Sequence, residues 1–303
     1  MADTKNFRVA REKKRDEFYT SYLDVENELR HYKEHFKDAV IYCNCDDWRW
    51  SSFYLYLKNA FNHLGLKKLI ATYYDESGSA CKAELFPSGK ETVTLLKGSG
   101  DFRSEECVSL LNEADIVITN PPFSLFREYI GLLVDKKKRF LIIGNNNAIS
   151  YKEVFALIQA GQIWLGVNNN KTLEFRLHSS YEKYHRIDDV GRKYGKVPAI
   201  SWFTNLTHHK RQTPIDLYCT YNPEDYPKYD NYDAIEVKKV KEIPVDYNGT
   251  MGVPITFLNK YCPEQFEIVG TQRWFYDRNL GITNGKTLIN GKETYDRIFI
   301  KRK

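Results

Sequence analysis

The chain has 303 residues, with 45 lysines and arginines against 40 acidic residues and a formal net charge of +5. Its composition, 42% apolar, 28% charged and 15% aromatic, excludes disordered and fibrous proteins and is typical of a globular protein of about two domains. The longest apolar stretch, FLIIG at 140–144, is far shorter than the roughly 18 residues of a membrane-spanning helix. Residues 1–15 lack the apolar segment of a secretory signal, and the six cysteines are irregularly spaced. We therefore expect a cytoplasmic protein with reduced thiols and no membrane association.

Positive charge is concentrated in two segments of the chain. Residues 1–15 hold six basic and two acidic residues, and a second basic segment lies between Lys171 and Lys196. Basic segments beside an aromatic-rich fold indicate a polyanionic partner such as nucleic acid. A solvated tail and a solvated loop would give the same charge pattern, so charge does not decide between the two interpretations.

Apolar periodicity predicts an amphipathic helix at 23–36, followed by alternating strands and helices. The predicted strands are 39–43, 68–74, 92–96, 115–119 and 139–144, with 163–167 and 199–204 extending the sheet, and the predicted helices are 51–63, one from about 104, 124–134 and 151–160. Residues 76–90 are rich in Gly, Ser and Pro and predict a hairpin or a loop. This alternation predicts an α/β fold with a doubly wound, mostly parallel sheet.

The composition changes beyond Asn205. Proline, tyrosine and aspartate become frequent, as in PEDYPKYDNYDAIEV, and no helical period is sustained. We therefore expect a second, smaller region that is β-rich or irregular.

Acidic and amide side chains follow the predicted strands at the points where each strand ends. In open α/β sheets, ligands bind beyond the carboxyl ends of the strands. The strand-end residues that mark this edge are Cys43 to Asp47, Asp75, Asp101 and Phe102, Asn120 to Phe123, and Asn145 to Asn147. A second asparagine triplet, Asn168 to Asn170, follows a later strand. Both triplets are candidates for contact with nucleic acid, although polar loops without such a role are commoner than loops that contact bases.

The segment Asn120-Pro121-Pro122-Phe123 is the most specific of these strand ends. Neither proline has an N–H group, and Asn120 before proline is held extended, so the turn presents acceptors with few competing donors. Two acceptors suit a planar amine with two hydrogens, favour a tetrahedral nitrogen and aim its lone pair at an electrophilic methyl group. Phe123 offers a face on which a flat base can stack. A plain turn that ends a strand is the alternative interpretation.

The sequence resembles S-adenosylmethionine-dependent amino-methyltransferases, and within them the EcoRI methylase family. The motifs that carry this resemblance stand in order along the chain and are EFYT (17–20), YCNCDD (42–47), GDFRS (100–104) and TNPPFSLF (119–126). The resemblance extends from about residue 16 to about residue 270. It implies a Rossmann-like class I methyltransferase that transfers a methyl group to the 6-amino group of an adenine flipped out of duplex DNA, with S-adenosylhomocysteine as product.

The resemblance also implies the cofactor-binding residues of the first part of the chain. Tyr19 and Thr20 would lie against the methionine part of S-adenosylmethionine. The loop that begins at Cys43 would bring Asn44 and Asp46 to its amino-acid and sulfonium region. This loop contains no glycine, unlike the corresponding loop of most methyltransferases, and the EcoRI methylase family shares that departure.

The remaining implied contacts come from later strands. Asp75 would bind the ribose hydroxyls, Asp101 would accept from the adenine amine of the cofactor, and Phe102 would lie beside that ring. Asn120 would face both the cofactor and the target amine. Trp202 or Phe203 would close the base pocket from the other side.

Combined with the resemblance, the domain prediction is a basic arm (1–15), a catalytic domain (16–206) with a DNA-contacting insertion (168–197), and a target-recognition region (207–303). No metal and no obligate protein partner is expected, and a monomer is compatible with the sequence. An amino-methyltransferase acting on RNA or on a protein glutamine, and a DNA-binding relative that has lost catalysis, stay open as alternatives. The target sequence, and membership of a restriction–modification pair, a phage or a solitary system, also stay open.

Overall fold

Two units make up the computed structural model, which describes residues 19–176, 184–274 and 286–303. The larger unit comprises the chain up to residue 149 together with 165–206, and the smaller unit comprises 150–164 and 207–303. The expected basic arm (1–15) lies outside the described residues, as does part of the expected insertion. No helix within the described ranges is long and apolar enough to cross a membrane.

A sheet of eleven strands, counted over the described residues, forms the larger unit. The strands are β1 (Tyr19–Thr20), β2 (Val40–Cys43), β3 (Lys68–Thr72), β4 (Cys81–Leu85), β5 (Glu91–Leu95), β6 (Ile116–Thr119), β7 (Arg139–Asn145), β8 (Trp164–Leu165), β9 (Lys171–Arg176), β10 (Arg186–Ile187) and β11 (Lys193–Thr204). The helices are α1 (Tyr22–Leu29), α2 (Ser52–Asn59), α3 (Phe61–Leu64), α4 (Glu105–Glu113) and α5 (Phe126–Asp135), with 3-10 turns at Arg30–His35, Phe123–Leu125 and Asn146–Ser150. The main path through the sheet is β1-β9-β11-β7-β6-β2-β3-β4-β5.

Parallel pairing is confined to the centre of this sheet. Strands β7, β6, β2 and β3 are parallel, whereas β11, β9 and β1 on one side and β4 and β5 on the other pair antiparallel. Every residue of β2 and β6 is buried, as expected of strands covered on both faces. The α/β prediction is therefore confirmed as a mixed sheet, whose parallel part is smaller than the sequence indicates.

The strand predicted at 92–96 is not a parallel strand of the core. It forms β5, the outer arm of an antiparallel hairpin with β4, because the turn at Gly89 (φ 78°) closes directly and no helix crosses between them. The chain after β5 then returns to the end of β3, where the Asp75 N–H donates to Ser99 O at 2.8 Å. Gly100 (φ 75°) makes that return possible, since a Cβ there would lie 2.0 Å from the carbonyl oxygen of Tyr73.

The smaller unit contains a four-stranded sheet in the order β12-β13-β17-β14 and a two-stranded ribbon, β15-β16. Its elements are α6 (Lys152–Gln159), α7 (His209–Gln212), β12 (Ala234–Glu236), β13 (Thr250–Pro254), β14 (Phe266–Thr271), β15 (Leu288–Ile289), β16 (Lys292–Glu293) and β17 (Arg297–Arg302), with 3-10 turns at Val240–Glu242, Ile255–Lys260 and Gln272–Trp274. The helix predicted at 151–160 was expected on the catalytic sheet, but it belongs to this unit as α6. Its end is held there because Gln159 Nε2 donates to Val269 O of β14 at 2.7 Å.

A buried carboxylate orders the loop between β8 and β9. Both oxygens of Glu28, which is fully buried in α1, accept hydrogen bonds from this loop: Oε1 from Val167 N at 2.7 Å, and Oε2 from Asn168 N at 2.8 Å and Asn168 Nδ2 at 2.9 Å. The hydroxyl of Tyr32 also donates to Oε1 at 2.8 Å. Burial raises the pKa of Glu28, although these hydrogen bonds oppose the rise.

Internal hydrogen bonds also engage the asparagine triplet 168–170, through the side chains of Asn168 and Asn169 and the backbone of Asn170. Asn169 Nδ2 donates to Gly166 O, Asn169 Oδ1 accepts from Trp202 N at 3.0 Å, and the Asn170 N–H donates to Ser201 Oγ at 3.0 Å. The amides of Asn168 and Asn169 therefore serve to close the loop, whereas contact of the triplet with nucleic acid stays a prediction.

Replacing Glu28 by alanine should lower the free energy of unfolding by roughly 3 kcal/mol, since several buried donors would lose their acceptor together. Urea denaturation measures the change. Glu34→Ala, which removes an exposed glutamate from the neighbouring 3-10 turn, is the control and should stay within about 0.5 kcal/mol of the parent protein. If the two variants lower the free energy of unfolding equally, the hydrogen bonds to the Glu28 carboxylate do not stabilise the fold.

Candidate functional site

The carboxyl ends of the four central strands meet at one edge of the sheet, and this edge carries the candidate site. Strand β2 ends at the loop containing Asn44 and Asp46, β3 leads to Asp75, and β6 leads to Asn120. The sequence suggested that Asp101 follows a parallel strand, but it does not. It reaches this edge because the chain returns there at Gly100. Most of the strand-end residues thus reach this edge at the ends of parallel strands, and Asp101 reaches it through the loop that follows the β4–β5 hairpin.

Asp46 links the loop after β2 to the end of β6. Its Oδ1 accepts from Ser51 Oγ at 2.6 Å, and its Oδ2 accepts a short hydrogen bond from the hydroxyl of Thr119. The backbone N–H of Asn120 donates to the same carboxylate. Thr119 Oγ1 in turn accepts from Cys45 N at 3.1 Å. The position of Asn120 is therefore fixed by the loop that follows β2.

The Asp46 carboxyl is 4% exposed, and burial raises its pKa to about 6. The hydrogen bonds from Ser51, Thr119 and the Asn120 N–H lower that pKa, and the neighbouring charge of Asp47 raises it. Ser51 is itself the N-cap of α2, since its hydroxyl accepts from Phe53 N at 3.1 Å. Asp46 therefore joins a strand end, a helix cap and the turn after β6.

The turn after β6 is built as its sequence predicts. Pro122 is extended (φ −62°, ψ 123°), and the 3-10 turn that follows begins at Phe123. The side chain of Phe123 is half-buried against the main apolar cluster, and Asn120 is also half-buried. The turn thus carries one amide and one aromatic ring within four consecutive residues at the carboxyl edge, on a backbone stiffened by two prolines.

Three buried polar atoms of the larger unit have no hydrogen-bond partner among the described residues. Asn44 Nδ2 and Trp48 Nε1 are buried and have no hydrogen-bond partner among the described residues, and the same holds for Thr20 Oγ1. The other end of the Asn44 amide is fixed, because its Oδ1 accepts from the hydroxyl of Tyr129. Since buried donors without partners are rare, Asn44 Nδ2 and Trp48 Nε1 indicate that the loop after β2 would accommodate a polar ligand group.

Comparison with known proteins then decides the family. The model of the family described as "Adenine-specific methyltransferase EcoRI" matches residues 6–95 and 88–303. The chain is 47% identical to the Escherichia coli protein "Type II methyltransferase M.EcoRI" over all of this chain and 98% of that protein. It is 40% identical to "Type II methyltransferase M.MgeORF184P" of Mycoplasma genitalium and 37% identical to "Type II methyltransferase M.MpnI" of Mycoplasma pneumoniae, each over 98% of both chains.

The chain belongs to the EcoRI methylase family. The resemblance inferred from the four sequence motifs is thereby confirmed, and the match covers both structural units. In this EcoRI methylase homologue, the glycine-free loop after β2 is stabilised by side-chain hydrogen bonds from Ser51, Thr119 and Tyr129.

The two outer acidic residues of the EcoRI methylase homologue are held by local contacts. Asp75 Oδ1 accepts from Ser77 N at 2.8 Å, and the hydrogen bonds from Ser77 lower the pKa of Asp75. Asp101 accepts from Arg103 Nε at 2.9 Å and from Arg103 Nη2 at 2.6 Å. Phe102 is buried and packs edge-on against Tyr129, with ring centroids 5.0 Å apart. The Asp75 carboxylate keeps further lone pairs that could accept from a ligand.

Three of the expected ligand contacts are not supported by the side-chain positions. The Cys43 thiol is fully buried in the main apolar cluster, where burial raises its pKa, so only its backbone can reach a ligand. Trp202 is 1% exposed and packs on Phe53 at 5.7 Å, and Phe203 is fully buried against Phe126 at 5.0 Å. Because both rings are buried in side-chain packing, the expected contact of Trp202 or Phe203 with a base has no support from the structure.

Sequence reasoning missed the residues that support the site. Thr119 ends β6 directly before Asn120, and Ser51 precedes an apolar helix, which is a recognisable N-cap signal. Tyr129 carries no local signal, since only the tertiary fold brings α5 to Asn44. Tyr19 is described only as part of β1, so the expected contact of its side chain with the cofactor stays a prediction. Within the described ranges, no cluster of three or more His, Cys, Asp or Glu side chains could hold a metal ion.

Proposed function

We propose that this chain is a cytoplasmic DNA methyltransferase that transfers a methyl group from S-adenosylmethionine to the 6-amino group of a flipped-out adenine. The observation that carries the proposal is the Asn120–Phe123 turn at the carboxyl end of β6, bonded through Asp46 to the loop after β2. The family description and the names of the three relatives support the reaction class and a place in restriction–modification.

The residues of the edge suit the proposed cofactor. Asn44 Nδ2 and Trp48 Nε1 are buried donors that a carboxylate would satisfy, and Thr20 Oγ1 could exchange a hydrogen bond with the amino-acid part of the cofactor. Asp75 and Asp101 would accept from ribose hydroxyls and from the adenine amine respectively, as acidic residues at such strand ends do in nucleoside-binding sheets. The cofactor, when bound, supplies a methyl group on a positively charged sulfur.

The chain's own contribution is to orient the target amine. Asn120 Oδ1 and the carbonyl oxygen of Pro121 would each accept one hydrogen of that amine, which turns the nitrogen lone pair out of the ring plane. Asn120 and Pro121 would thereby aim the lone pair at the methyl group that the cofactor supplies, and the proton that the amine loses on transfer would pass to solvent. Pro122 keeps competing N–H donors away, and Phe123 would stack on the extracted base.

Residues other than those of the catalytic edge would also need to bind the DNA duplex. We assign target recognition to residues 207–303, which lie in the smaller unit, and phosphate contacts to the basic N-terminal arm, residues 1–15. Double-stranded DNA carries a dense negative charge, so such contacts make binding strongly salt-dependent.

Tritiated S-adenosylmethionine incubated with duplex DNA, tRNA or protein extract tests the proposal. We expect label in the duplex DNA only, and N6-methyladenine as the labelled nucleoside after enzymatic digestion. Label in RNA or in protein instead of DNA would favour the RNA or glutamine alternatives, and no labelling by a folded protein that still binds DNA would indicate a relative without catalysis.

A further inference from the structure

A β-hairpin projects beyond the catalytic edge of the larger unit. Strand β7 continues past the level of Thr119, which pairs with Ile142, and ends at Asn145, which pairs with Ile200 of β11. Because β11 runs antiparallel to β7, the residues before Ile200 extend still further from the edge. They form a hairpin arm, residues 184–197, in which β10 pairs with the first part of β11.

The base and the reach of the hairpin arm are set by its strand register. The pairing of β11 with β9 shifts between Val197 and Ile200, where Ala199 adopts a left-handed conformation (φ 57°). Such a bulge bends the strand and changes the direction of the hairpin arm. Val190 lies ten residues from Ile200, but β11 still pairs with β9 at Tyr194, so the arm extends past the described end of β9 by about four residues, roughly 13 Å, which is close to the ~12 Å width of a DNA major groove.

The tip of the hairpin arm is a rigid turn with an exposed apolar residue at its apex. Asp188 Oδ1 accepts from Val190 N at 3.1 Å and from Arg192 N at 2.8 Å, and Asp188 Oδ2 accepts from Tyr194 OH at 3.1 Å. The Asp188 carboxylate is therefore engaged within the turn, whereas Asp189 beside it is exposed and places one negative charge next to Val190. Val190 is 69% exposed and Ile187 on the same hairpin is 47% exposed.

The flanks of the hairpin arm are basic. Arg192 and Lys196 lie on these flanks, and neither takes part in an ion pair within the part of the chain that the structure describes. Arg186 pairs with Glu174 at 2.6 Å and stacks on Tyr194 at 3.8 Å from the ring centroid, so it stiffens the arm. The arm thus combines a stiff body, positive flanks and an apolar apex on the same side as Asn120.

We propose that the hairpin arm enters duplex DNA beside the target adenine, with Val190 as a wedge against the base stack and Arg192 and Lys196 on phosphates. This inference rests on the proposed function and deepens it, since an apolar wedge lowers the cost of extracting a base. Positive flanks supply the sequence-independent part of binding. The proposal thereby assigns the DNA contact expected of the insertion at 168–197 to the hairpin arm, residues 184–197.

Binding without methyl transfer tests the phosphate contacts. The Arg192→Ala/Lys196→Ala double variant is compared with Lys37→Ala/Lys67→Ala, which removes two charges beside the amino ends of β2 and β3, at the opposite edge. Affinity for a fluorescent duplex is measured from about 50 to 200 mM KCl. We expect the arm variant to bind about tenfold more weakly and to lose about two from the salt slope, and the control to change neither. Equal slopes in the two variants would overturn the proposal, whereas a parent protein that binds no duplex would instead overturn the proposed function.

Methylation of plasmid DNA tests the wedge. Val190→Ser should lower kcat/KM about tenfold, whereas Val190→Ile should stay within about twofold of the parent protein. Leu95→Ser, which changes a 70% exposed residue on the far edge strand β5, is the matched control and should also stay within about twofold. If Val190→Ser and Leu95→Ser give the same rate on DNA that the parent protein methylates, Val190 is no wedge.

Discussion

Replacing Asn120 by alanine should lower the rate of methyl transfer to DNA by at least about 100-fold, roughly 3 kcal/mol of transition-state stabilisation. The amide oxygen of Asn120 is the acceptor that favours a tetrahedral amine, and no other side chain of the Asn120–Phe123 turn can replace it. Its backbone N–H, which donates to Asp46, is retained in the variant, so the turn should keep its position. Binding of S-adenosylmethionine, measured by calorimetry, and binding of duplex DNA should each change by less than about fivefold.

Asn112→Ala is the matched control for this variant. Asn112 is an exposed residue of α4, close in sequence to the amino end of β6 and so away from the edge that carries Asn120. We expect its methylation rate to stay within about threefold of that of the parent protein. If Asn120→Ala transfers methyl groups at the control's rate, the catalytic assignment of the turn fails.

The central strands and their ends could be predicted from the sequence because the relevant signals are local. The fully apolar runs at β2 and β6 indicate strands covered on both faces, and Asn-Pro-Pro directly after β6 can only end it. The carboxyl edge then follows from parallel pairing. For the same reason Asn44, Asp75 and Asn120 could be assigned to one edge before any contact was known.

The features that escaped prediction depend on contacts between distant residues. The short run TVTLL at 92–96, rich in β-branched residues, has the same pattern in a parallel strand and in an outer hairpin arm, so the sequence does not identify β5 as the latter. Trp202 was assigned to a base pocket by its type, whereas the position of β11 inside the sheet buries it on Phe53. Likewise, the bonds from Asn168 and Asn169 to Glu28, Gly166 and Trp202 cross up to 140 positions of sequence. Only the folded chain shows that these amides are already used.

The Asp46 carboxylate predicts how the reaction depends on pH. In its ionised form it accepts from Ser51, Thr119 and the N–H of Asn120. Protonation places a hydrogen on one oxygen, so at least one of these donors loses its acceptor and the turn that carries Asn120 is loosened. Since burial raises the pKa of Asp46 to about 6, kcat should fall on the acid side with an apparent pKa near that value.

The sign of the stability effect separates this loss from unfolding. The folded-state pKa of Asp46 lies above the ordinary value of 3.8, so the folded protein binds this proton more tightly than the unfolded chain does. As the pH falls from above 6 towards 4, Asp46 therefore adds stability to the fold and removes none. If kcat declines over that range while the melting temperature of the protein does not fall, the decline is not caused by unfolding. It then reports on the position of Asn120.

Profiles of kcat against pH for three proteins test the role of Asp46. Asp46→Asn should turn over about tenfold more slowly than the parent protein near neutral pH and should lack the limb near pH 6, because its amide does not titrate. Asp47→Asn, in which Arg49 loses the neighbouring carboxylate, should keep the limb and move it to lower pH, since the Asp47 charge raises the pKa of Asp46. If the limb persists in Asp46→Asn, another group titrates there. Its disappearance in that variant alone would assign to Asp46 the task of holding the catalytic turn against the loop after β2.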